Sequence, residues 1–341
     1  MPVYNKAAWL PSVLDSIRRQ SGDFDREYIF VDDGSTDGSA DILRAATLDW
    51  PKITLVFQSN HGAAHANNRA LELVSMPYVK FIDADDLLIE NATALLLYNL
   101  QANPSACLAY GRAGTYATLD GVEFGLPVLP AGVVRLIEEP LIRVMHSGWF
   151  NPSQMLVRAD CIRAVGGSDE RIRHAQDYTL LLRLAARWPF LEVPARIAFL
   201  QTADPTRLTA NRAEQQEEAT LALAGFLADH PAVDSTIKLY ACRRAAKRAA
   251  LFARRMHRYR QAIAFRVNWA STYLPGGVRD AVTFILGCAG VFRKQILGSQ
   301  SYFGPTEVAT PPKTAAVVPL FVEAKHPGSS PIPEPPGRPI L

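Results

Sequence analysis

Short apolar strands and amphipathic helices alternate over the first 115 residues of the chain. The strands are predicted at 28–31, 53–57, 78–82 and 106–110, and the helices at 7–20, 40–46, 63–74 and 90–101. Strands that are separated by helices of this length form βαβ units with parallel strands. The sequence therefore predicts a Rossmann-like α/β fold, in which helices flank a mixed, mainly parallel sheet.

An acidic run, Asp83-Ala84-Asp85-Asp86, directly follows the apolar strand predicted at 78–82. In open α/β sheets, ligands bind beyond the carboxyl ends of the strands. Neighbouring carboxylates repel one another unless a cation neutralises them, and oxygen ligands suit Mg²⁺ or Mn²⁺. The run therefore indicates a metal-nucleotide site. The structural alternative is that Asp86 caps a following helix, because Asp is a favoured N-cap residue.

Polar clusters also follow the other strands expected in this half of the chain. They are Pro2-Val3-Tyr4-Asn5, then Asp32-Asp33-Gly34-Ser35-Thr36-Asp37, then Asn60-x-Gly62-x-x-x-Ala66-x-Asn68. Together with the acidic run, these motifs resemble the family 2 glycosyltransferases with the GT-A fold over residues 1 to about 200. Neither a P-loop nor a GxGxxG motif occurs in the sequence, which argues against kinases and NAD enzymes.

The resemblance implies an enzyme that moves a sugar from a nucleotide-diphosphate donor, expected to be a UDP-sugar, to a hydroxyl group. The acceptor would be a glycan or a lipid-linked glycan, and the reaction would invert the anomeric centre. Two other functions remain open. A nucleotidyltransferase shares the general sheet plan, although its Gly-rich activating loop is absent from this sequence. A non-catalytic scaffold with the same fold is the second, because Asn67 stands where the family usually has Arg.

The resemblance also assigns roles to the matching residues. Asp33 would accept an N–H of uracil, Tyr4 would stack on the base, and Asp83 would support the metal site or face the ribose. Asp85 is the expected ligand of Mg²⁺ or Mn²⁺, with Asp86 as the close alternative, and the metal would stabilise charge on the departing nucleotide. The complete predicted nucleotide-binding set is Pro2, Tyr4, Asn5, Asp33, Asn60, Gly62, Asn68 and Asp83.

A segment from 166 to 178 resembles the acceptor region of the family, in which a Glu-Asp or Gln-Asp pair opens a helix. Asp177 matches the catalytic Asp, which would take the proton of the acceptor hydroxyl. Gln176 replaces the commoner Glu, and Asp177 could instead serve only as a favourable residue at a helix start. Trp149 is a candidate sugar-stacking residue, and Arg207 is a candidate for neutralising phosphate from a closing loop.

The composition changes after about residue 230. Residues 1–230 are predicted to form the GT-A domain, with a nucleotide-binding half at 1–115 and an acceptor half at 116–230. A basic helical extension is expected at 231–303 and a disordered Pro-rich tail at 304–341. Between 235 and 300 there are 13 Lys or Arg residues and one acid, Asp280.

This basic extension predicts contact with an anionic membrane surface through residues 235–300. The alternatives are a basic face docked on the catalytic domain and a solvated face. The net charge of +3 gives no indication of nucleic-acid binding. Without a secretory signal or an apolar stretch of about 20 residues, the prediction is a cytoplasmic protein that reaches the inner face of the cell membrane. The four cysteines form no CxxC pair and are expected to be reduced and packed.

One departure from the family concerns the first strand. That strand normally precedes the Pro2-Val3-Tyr4-Asn5 motif and lies in the middle of the sheet, whereas here Met1 directly precedes the motif. Without it, neighbouring strands would lose ladder hydrogen bonds. We therefore expect a start upstream of Met1, or a truncated product.

Overall fold

The computed structural model describes residues 1–120, 122–125, 132–147, 150–203 and 212–293. Its strands are β1 (Pro2–Val3), β2 (Tyr28–Asp32), β3 (Ile53–Phe57), β4 (Tyr78–Lys80), β5 (Leu87–Leu88), β6 (Leu108–Tyr116), β7 (Arg135–Ile137), β8 (Met155–Arg158) and β9 (Phe190–Gln201). Its helices are α1 (Leu10–Arg18), α2 (Ser39–Ala46), α3 (Ala63–Leu73), α4 (Ala92–Ala102), α5 (Leu141–Ser147), α6 (Ala159–Ala164), α7 (Gln176–Ala185), α8 (Arg212–Asp229), α9 (Ser235–Arg255), α10 (Tyr259–Ser271) and α11 (Ala281–Arg293). Trp149, Arg207 and the predicted tail at 304–341 lie outside the described residues.

The strands form two sheets of different character. β1, β2 and β3 are parallel neighbours; the βαβ pattern predicted the parallel pairing of β2 and β3, whereas the two-residue β1 lies within the Pro2-Val3-Tyr4-Asn5 motif. The second sheet has the order β4-β8-β6-β9-β5, with β7 also paired to β9. In it β6 and β9 are parallel, and the other pairs are antiparallel. The fold is the predicted mixed α/β class.

The first sheet is covered by helices on both faces. Phe30 packs in a cluster with Leu10 and Leu43 of α1 and α2, whereas its neighbour Val31 packs against Ala66 of α3. Successive residues of a strand point to opposite faces, so both faces of β2 bury apolar side chains. Because the three strands are parallel, the loops that follow them emerge at the same edge of this sheet, where the polar clusters lie.

The two sheets are not joined directly, since β1 ends the first sheet and β4 ends the second. A cavity of about 360 Å³ is lined by residues of both sheets, among them Met1, Ile29 and Lys80. The amino group of Met1 is buried and donates to the Ile29 carbonyl oxygen at 2.8 Å. Burial lowers the pKa of this amino group to about 5.

The last four helices pack on one another. α9 turns a stripe of buried small residues towards α8, α10 and α11. Phe252 of α9 also contacts Phe292 of α11, with ring centroids 4.7 Å apart. The apolar face of α9 is thus covered by protein, unlike the exposed face predicted for a membrane-surface helix. The stripe consists of Ala241, Cys242, Ala245, Ala246, Ala249, Ala250 and Ala253.

Two further expectations from composition can be compared with the structure. All four cysteines are buried and none forms a disulfide, as expected. In the described part of the chain, the helices are all too short or too polar to cross a lipid bilayer.

Candidate active site

The loop after β1 is tied to the loop after β2. Asn5 adopts a left-handed backbone conformation with φ of 51°, a region that Asn tolerates better than most residues. Its backbone N–H donates to Ser35 Oγ at 3.0 Å, and its Oδ1 accepts from the Thr36 N–H at 2.8 Å. The Asn5 side chain therefore positions the turn after β2. Pro2 belongs to β1 itself, and Tyr4 is 46% exposed beside this loop.

Asp33 joins the end of β2 to the loop after β3. Its buried carboxylate accepts from the backbone N–H groups of His61 at 2.9 Å and Gly62 at 2.8 Å, and from Gln58 Nε2 at 2.8 Å. Asn60 lies close by, because a Cβ on Gly34 would be only 2.9 Å from the Asn60 nitrogen. The uracil contact assigned to Asp33 stays a prediction, whereas its observed contacts hold the third motif in place.

Asp85 pairs with Lys6, which follows the first motif directly. Lys6 Nζ lies 2.8 Å from Asp85 Oδ2, and the two side chains are only 15% and 11% exposed. The Tyr116 hydroxyl also donates to the Asp85 carbonyl oxygen at 2.7 Å. The ion pair brings the loop after β1 to the acidic run, so all four predicted motifs meet at one edge of the structure.

Asp86 has a different position. Its Oδ2 accepts from Ser153 Oγ at 2.7 Å and its Oδ1 accepts from the Gln201 backbone N–H at 3.1 Å. The Asp83 N–H donates to the same Ser153 Oγ at 3.0 Å. The buried Asp86 carboxylate thus ties the acidic run to the turn before β8 and to the end of β9. The helix-cap alternative for Asp86 is wrong, because β5 follows it and α4 begins only at Ala92.

These contacts indicate which side chains are available to bind a metal ion. Within the described residues, no group of three or more His, Cys, Asp or Glu side chains could hold a metal ion by itself. Mg²⁺, however, is commonly bound by one or two carboxylates together with substrate phosphates. Asp85 fits such a site as a single protein ligand, whereas both oxygens of Asp86 already accept hydrogen bonds.

Lys80 is a site residue that the sequence analysis missed. Its Nζ is buried beneath the acidic run and donates to the carbonyl oxygens of Phe81 at 2.9 Å and Ser153 at 2.6 Å. Burial lowers the pKa of Lys80 to about 7, against the opposing effect of Asp86 and Asp83. The sequence feature that could have identified Lys80 is its position at the end of an otherwise apolar strand.

Asp177 lies in the first turn of α7, in the acceptor half. Its Oδ1 accepts from the Tyr178 N–H at 2.8 Å, and burial raises the pKa of its carboxyl group. The N-cap residue is Ala175, so Asp177 does not cap the helix through its side chain. Next to it, Gln176 Oε1 is buried and has no hydrogen-bond partner in the described part of the chain. No hydrogen bond between described residues joins Asp177 to the four strand-end motifs.

Asn68, on α3, is hydrogen-bonded to the loop that precedes α7. Its Oδ1 accepts from the Ser168 N–H at 2.7 Å, and its Nδ2 donates to the Ser168 carbonyl oxygen at 3.0 Å and to Glu170 Oε1 at 2.7 Å. Gly167 makes this approach possible, since a Cβ there would lie 2.5 Å from Asn68 Oδ1. Asn68, predicted to bind nucleotide, thus contacts the loop that leads to α7.

Solved structures similar to this chain show what class the fold belongs to. A TarS 1–349 structure from S. aureus in complex with UDP-GlcNAc aligns with a TM-score of 0.54 and 12% identity, covering 86% of this chain and 90% of TarS. The mannosyltransferase PcManGT from Pyrobaculum calidifontis, in complex with GDP-Man and Mn²⁺, aligns with a TM-score of 0.52 and 21% identity, covering 87% and 85%. At these identities the likeness concerns the fold, which is GT-A.

Comparison with known sequences gives a family match for the N-terminal part of the chain. Residues 1–122 match the family described as glycosyl transferase family 2. The glycosyltransferase GlyG of Streptococcus pneumoniae is 31% identical over 122 residues, which is 36% of this chain and 40% of GlyG. The chain spans less than half the length of the first curated relatives that it matches. The family match therefore lies in the N-terminal part of the chain, at residues 1–122, which contains all four strand-end motifs.

Proposed function

We propose that this protein transfers a sugar from a UDP-sugar to a hydroxyl group of a glycan or a lipid-linked glycan, with inversion of the anomeric centre. The observation that carries the proposal is the joining of the four strand-end motifs through Lys6–Asp85, Asn5–Ser35 and Asp33–Gly62. These motifs carry the donor-binding residues in the family. The similar structures of TarS and PcManGT were solved with nucleotide sugars, which supports the same class of donor here.

The donor would lie over the edge where the motifs meet. Half-exposed Tyr4 is available to stack on the base, and Asp33 faces the same edge from the end of β2. Lys6 provides a cation next to Asp85, where the diphosphate is expected. A bound Mg²⁺ or Mn²⁺ at Asp85 would neutralise charge that develops on the departing nucleotide. We assign the metal to Asp85 rather than to Asp86, whose carboxylate is engaged within the protein.

Asp177 would act as the general base. Its carboxylate takes the proton from the acceptor hydroxyl while the acceptor oxygen bonds to the anomeric carbon, and the bond from that carbon to the phosphate oxygen breaks. The electron pair of that bond leaves with the nucleoside diphosphate. Burial, which raises the pKa of Asp177, makes its ionised form a stronger base. Gln176 Oε1, to which none of the described residues donates a hydrogen bond, could accept a hydrogen bond from a second acceptor hydroxyl.

None of the described helices is long and apolar enough to span a bilayer. A lipid-linked acceptor would therefore have to be reached from the membrane surface. We infer a cytoplasmic protein that meets this acceptor at the inner face of the membrane, with its basic extension closest to the anionic lipids.

A panel of nucleotide sugars with Mn²⁺ tests the function. The protein is expected to be stabilised by one nucleotide class and to release the nucleoside diphosphate when an acceptor is added, because ligands that bind only the folded state raise its apparent stability. Asp85→Asn should abolish the metal-dependent part of this stabilisation. Stabilisation without any turnover would favour the non-catalytic scaffold, and formation of pyrophosphate would indicate a nucleotidyltransferase.

A further inference from the structure

Three basic residues of α9 form a group that we call the cationic cluster: Arg244, Lys247 and Arg248. Their spacing of three and four residues places them on one side of the helix. Among the described residues, no carboxylate forms an ion pair with any of the three. Like charges at this spacing destabilise a helix. The cluster therefore concentrates positive charge that nothing in the described protein neutralises.

Two residues of the cationic cluster, Arg244 and Arg248, are partly buried towards α5, α7 and α8, whereas Lys247 is exposed. Burial lowers the pKa of His146, at the end of α5, and the positive charges of Arg244, Lys247 and Arg248 lower it further. Arg248 lies beside the hydroxyl of Tyr178 and donates to Thr220 Oγ1 at 3.4 Å. Tyr178 directly follows the proposed base Asp177, so the cluster contacts the same first turn of α7 that carries this base.

Arg244 gives the most specific indication of a ligand. Its Nε is buried and has no hydrogen-bond partner among the described residues. Burial and the neighbouring Arg248 lower the pKa of its guanidinium, and the nearby groups that favour the charged form are the hydroxyls of Tyr240 and Tyr178. A buried donor that is left unpaired is costly. Guanidinium groups pair especially well with phosphate, through two parallel N–H···O bonds.

We propose that the cationic cluster binds a phosphate group carried by the acceptor. The proposal rests on the proposed function and narrows its substrate class to phosphate-bearing acceptors, either a phosphodiester polymer or a lipid-linked diphosphate. The donor diphosphate is expected at Lys6 and Asp85, so the acceptor phosphate would use a second, separate site. Its role would be to hold the acceptor so that one hydroxyl lies at Asp177.

The test compares two charge-matched variants of the same helix. Arg244→Gln/Arg248→Gln removes two charges of the cluster, and Arg254→Gln/Arg255→Gln removes two exposed charges elsewhere on α9. With UDP and Mn²⁺ first added to occupy the donor site, inorganic pyrophosphate is titrated into each protein by calorimetry and by thermal unfolding. We expect saturable binding to the wild type and the control, and at least tenfold weaker binding to the cluster variant. Without ligand, the cluster variant should unfold at the same or a higher temperature, because repulsion has been removed.

The source of the phosphate is resolved by two further probes. Glycerophosphoglycerol represents a soluble phosphodiester, and a polyprenyl diphosphate in detergent micelles represents a lipid-linked acceptor. Cluster-dependent binding of either probe supports the proposal and identifies the source. Arg244→Lys, which keeps the charge but loses the planar fork, should bind pyrophosphate with intermediate affinity. It also provides a readout if the double variant does not fold.

Three results would overturn the proposal. One is the absence of saturable pyrophosphate binding to the wild type at millimolar concentrations. A second is an equal loss in the cluster and control variants, which would indicate a general charge effect. The third is a cluster variant that binds pyrophosphate as the wild type does but no longer floats with phosphatidylglycerol vesicles. That result would indicate a membrane-binding surface. UDP-sugar binding is measured in parallel: its absence from the wild type would contradict the proposed function without affecting the phosphate site.

Discussion

Lys6 Nζ and Asp85 Oδ2 are 2.8 Å apart, and both side chains are almost fully shielded from water. The pair joins the loop after β1 to the acidic run, although 79 positions separate the two residues in the chain. It also means that a cation already lies at the carboxylate to which we assign the metal. The proposed metal would therefore compete with Lys6 for the Asp85 carboxylate.

This competition gives a prediction for Lys6→Met. Without the ammonium group, Asp85 should bind Mn²⁺ about tenfold more tightly in the absence of nucleotide, which corresponds to about 1.4 kcal/mol. Sugar transfer should nevertheless fall, because the cation beside the diphosphate is lost. Calorimetric Mn²⁺ titration measures the first effect. Lys52→Met, which removes an exposed lysine, is the control, and unchanged Mn²⁺ affinity in Lys6→Met would rule out competition.

Asp177→Asn tests the assignment of the base. Transfer should fall by about 10²- to 10⁴-fold, the usual contribution of a general base. UDP-sugar binding should persist, because the donor motifs are not touched. Asp160→Asn, an exposed carboxylate in the same half, should retain activity. Full transfer by Asp177→Asn would show that another group takes the proton.

Asp177→Asn should also change the stability of the folded protein. The pKa of Asp177 is raised in the folded protein, so the folded state holds this proton more tightly than the unfolded chain does. The stabilisation that protonated Asp177 gives the folded state is complete at pH values below the pKa of this carboxyl in the unfolded chain. It is lost as the pH rises through the pKa in the folded protein. Asp177→Asn should therefore be more stable than the wild type at pH 7. The two proteins should converge in acid, as denaturant unfolding at several pH values would measure.

The first half of the fold could be predicted from the sequence because its strands and helices follow local patterns. β9, the longest strand, was missed, because its sequence lacks alternation and contains Pro194, a residue that sheet interiors usually exclude. In the structure, the register of β9 against β6 shifts between Glu192 and Arg196, around that proline. The bulge accommodates Pro194, and such a tertiary adjustment leaves no periodic signal in the sequence.

The candidate active site also contains both residues that sequence motifs identify and residues that only the structure identifies. Asp33, Asp85 and Asn5 could be found because they stand in motifs of recognisable spacing. Lys6 and Ser153 could not be found in this way, because their importance depends on contacts with distant residues, such as Ser153 Oγ with Asp86. Motif spacing identifies the groups that face a ligand, whereas the residues that hold these groups are known only once the chain has folded.

Lys80 gives a prediction for pH dependence. Burial lowers its pKa to about 7, so between this value and the ordinary 10.5 the unfolded chain holds more protons than the folded state. Stability should therefore rise with pH across this window, by up to about 5 kcal/mol. Lys80→Met should flatten the rise, as measured by denaturant unfolding from pH 6 to 10. Lys238→Met, which removes a surface lysine bonded to the Pro231 carbonyl, should preserve it.

The contact between Asn68 and the loop that precedes α7 can be tested with two adjacent glycines. Gly166 and Gly167 have similar left-handed backbones, with φ of 77° and 72°, so alanine should cause comparable strain at both. A Cβ at Gly166 meets nothing within 4 Å, whereas one at Gly167 would displace Asn68 from Ser168. Gly167→Ala should therefore be less stable than Gly166→Ala by about 0.5–1.5 kcal/mol, the usual net contribution of a hydrogen bond. In an Asn68→Ala background the difference should largely disappear, since the contact is already lost. Denaturant unfolding of the four proteins measures both effects, and an undiminished difference in that background would show that Asn68 is not its cause.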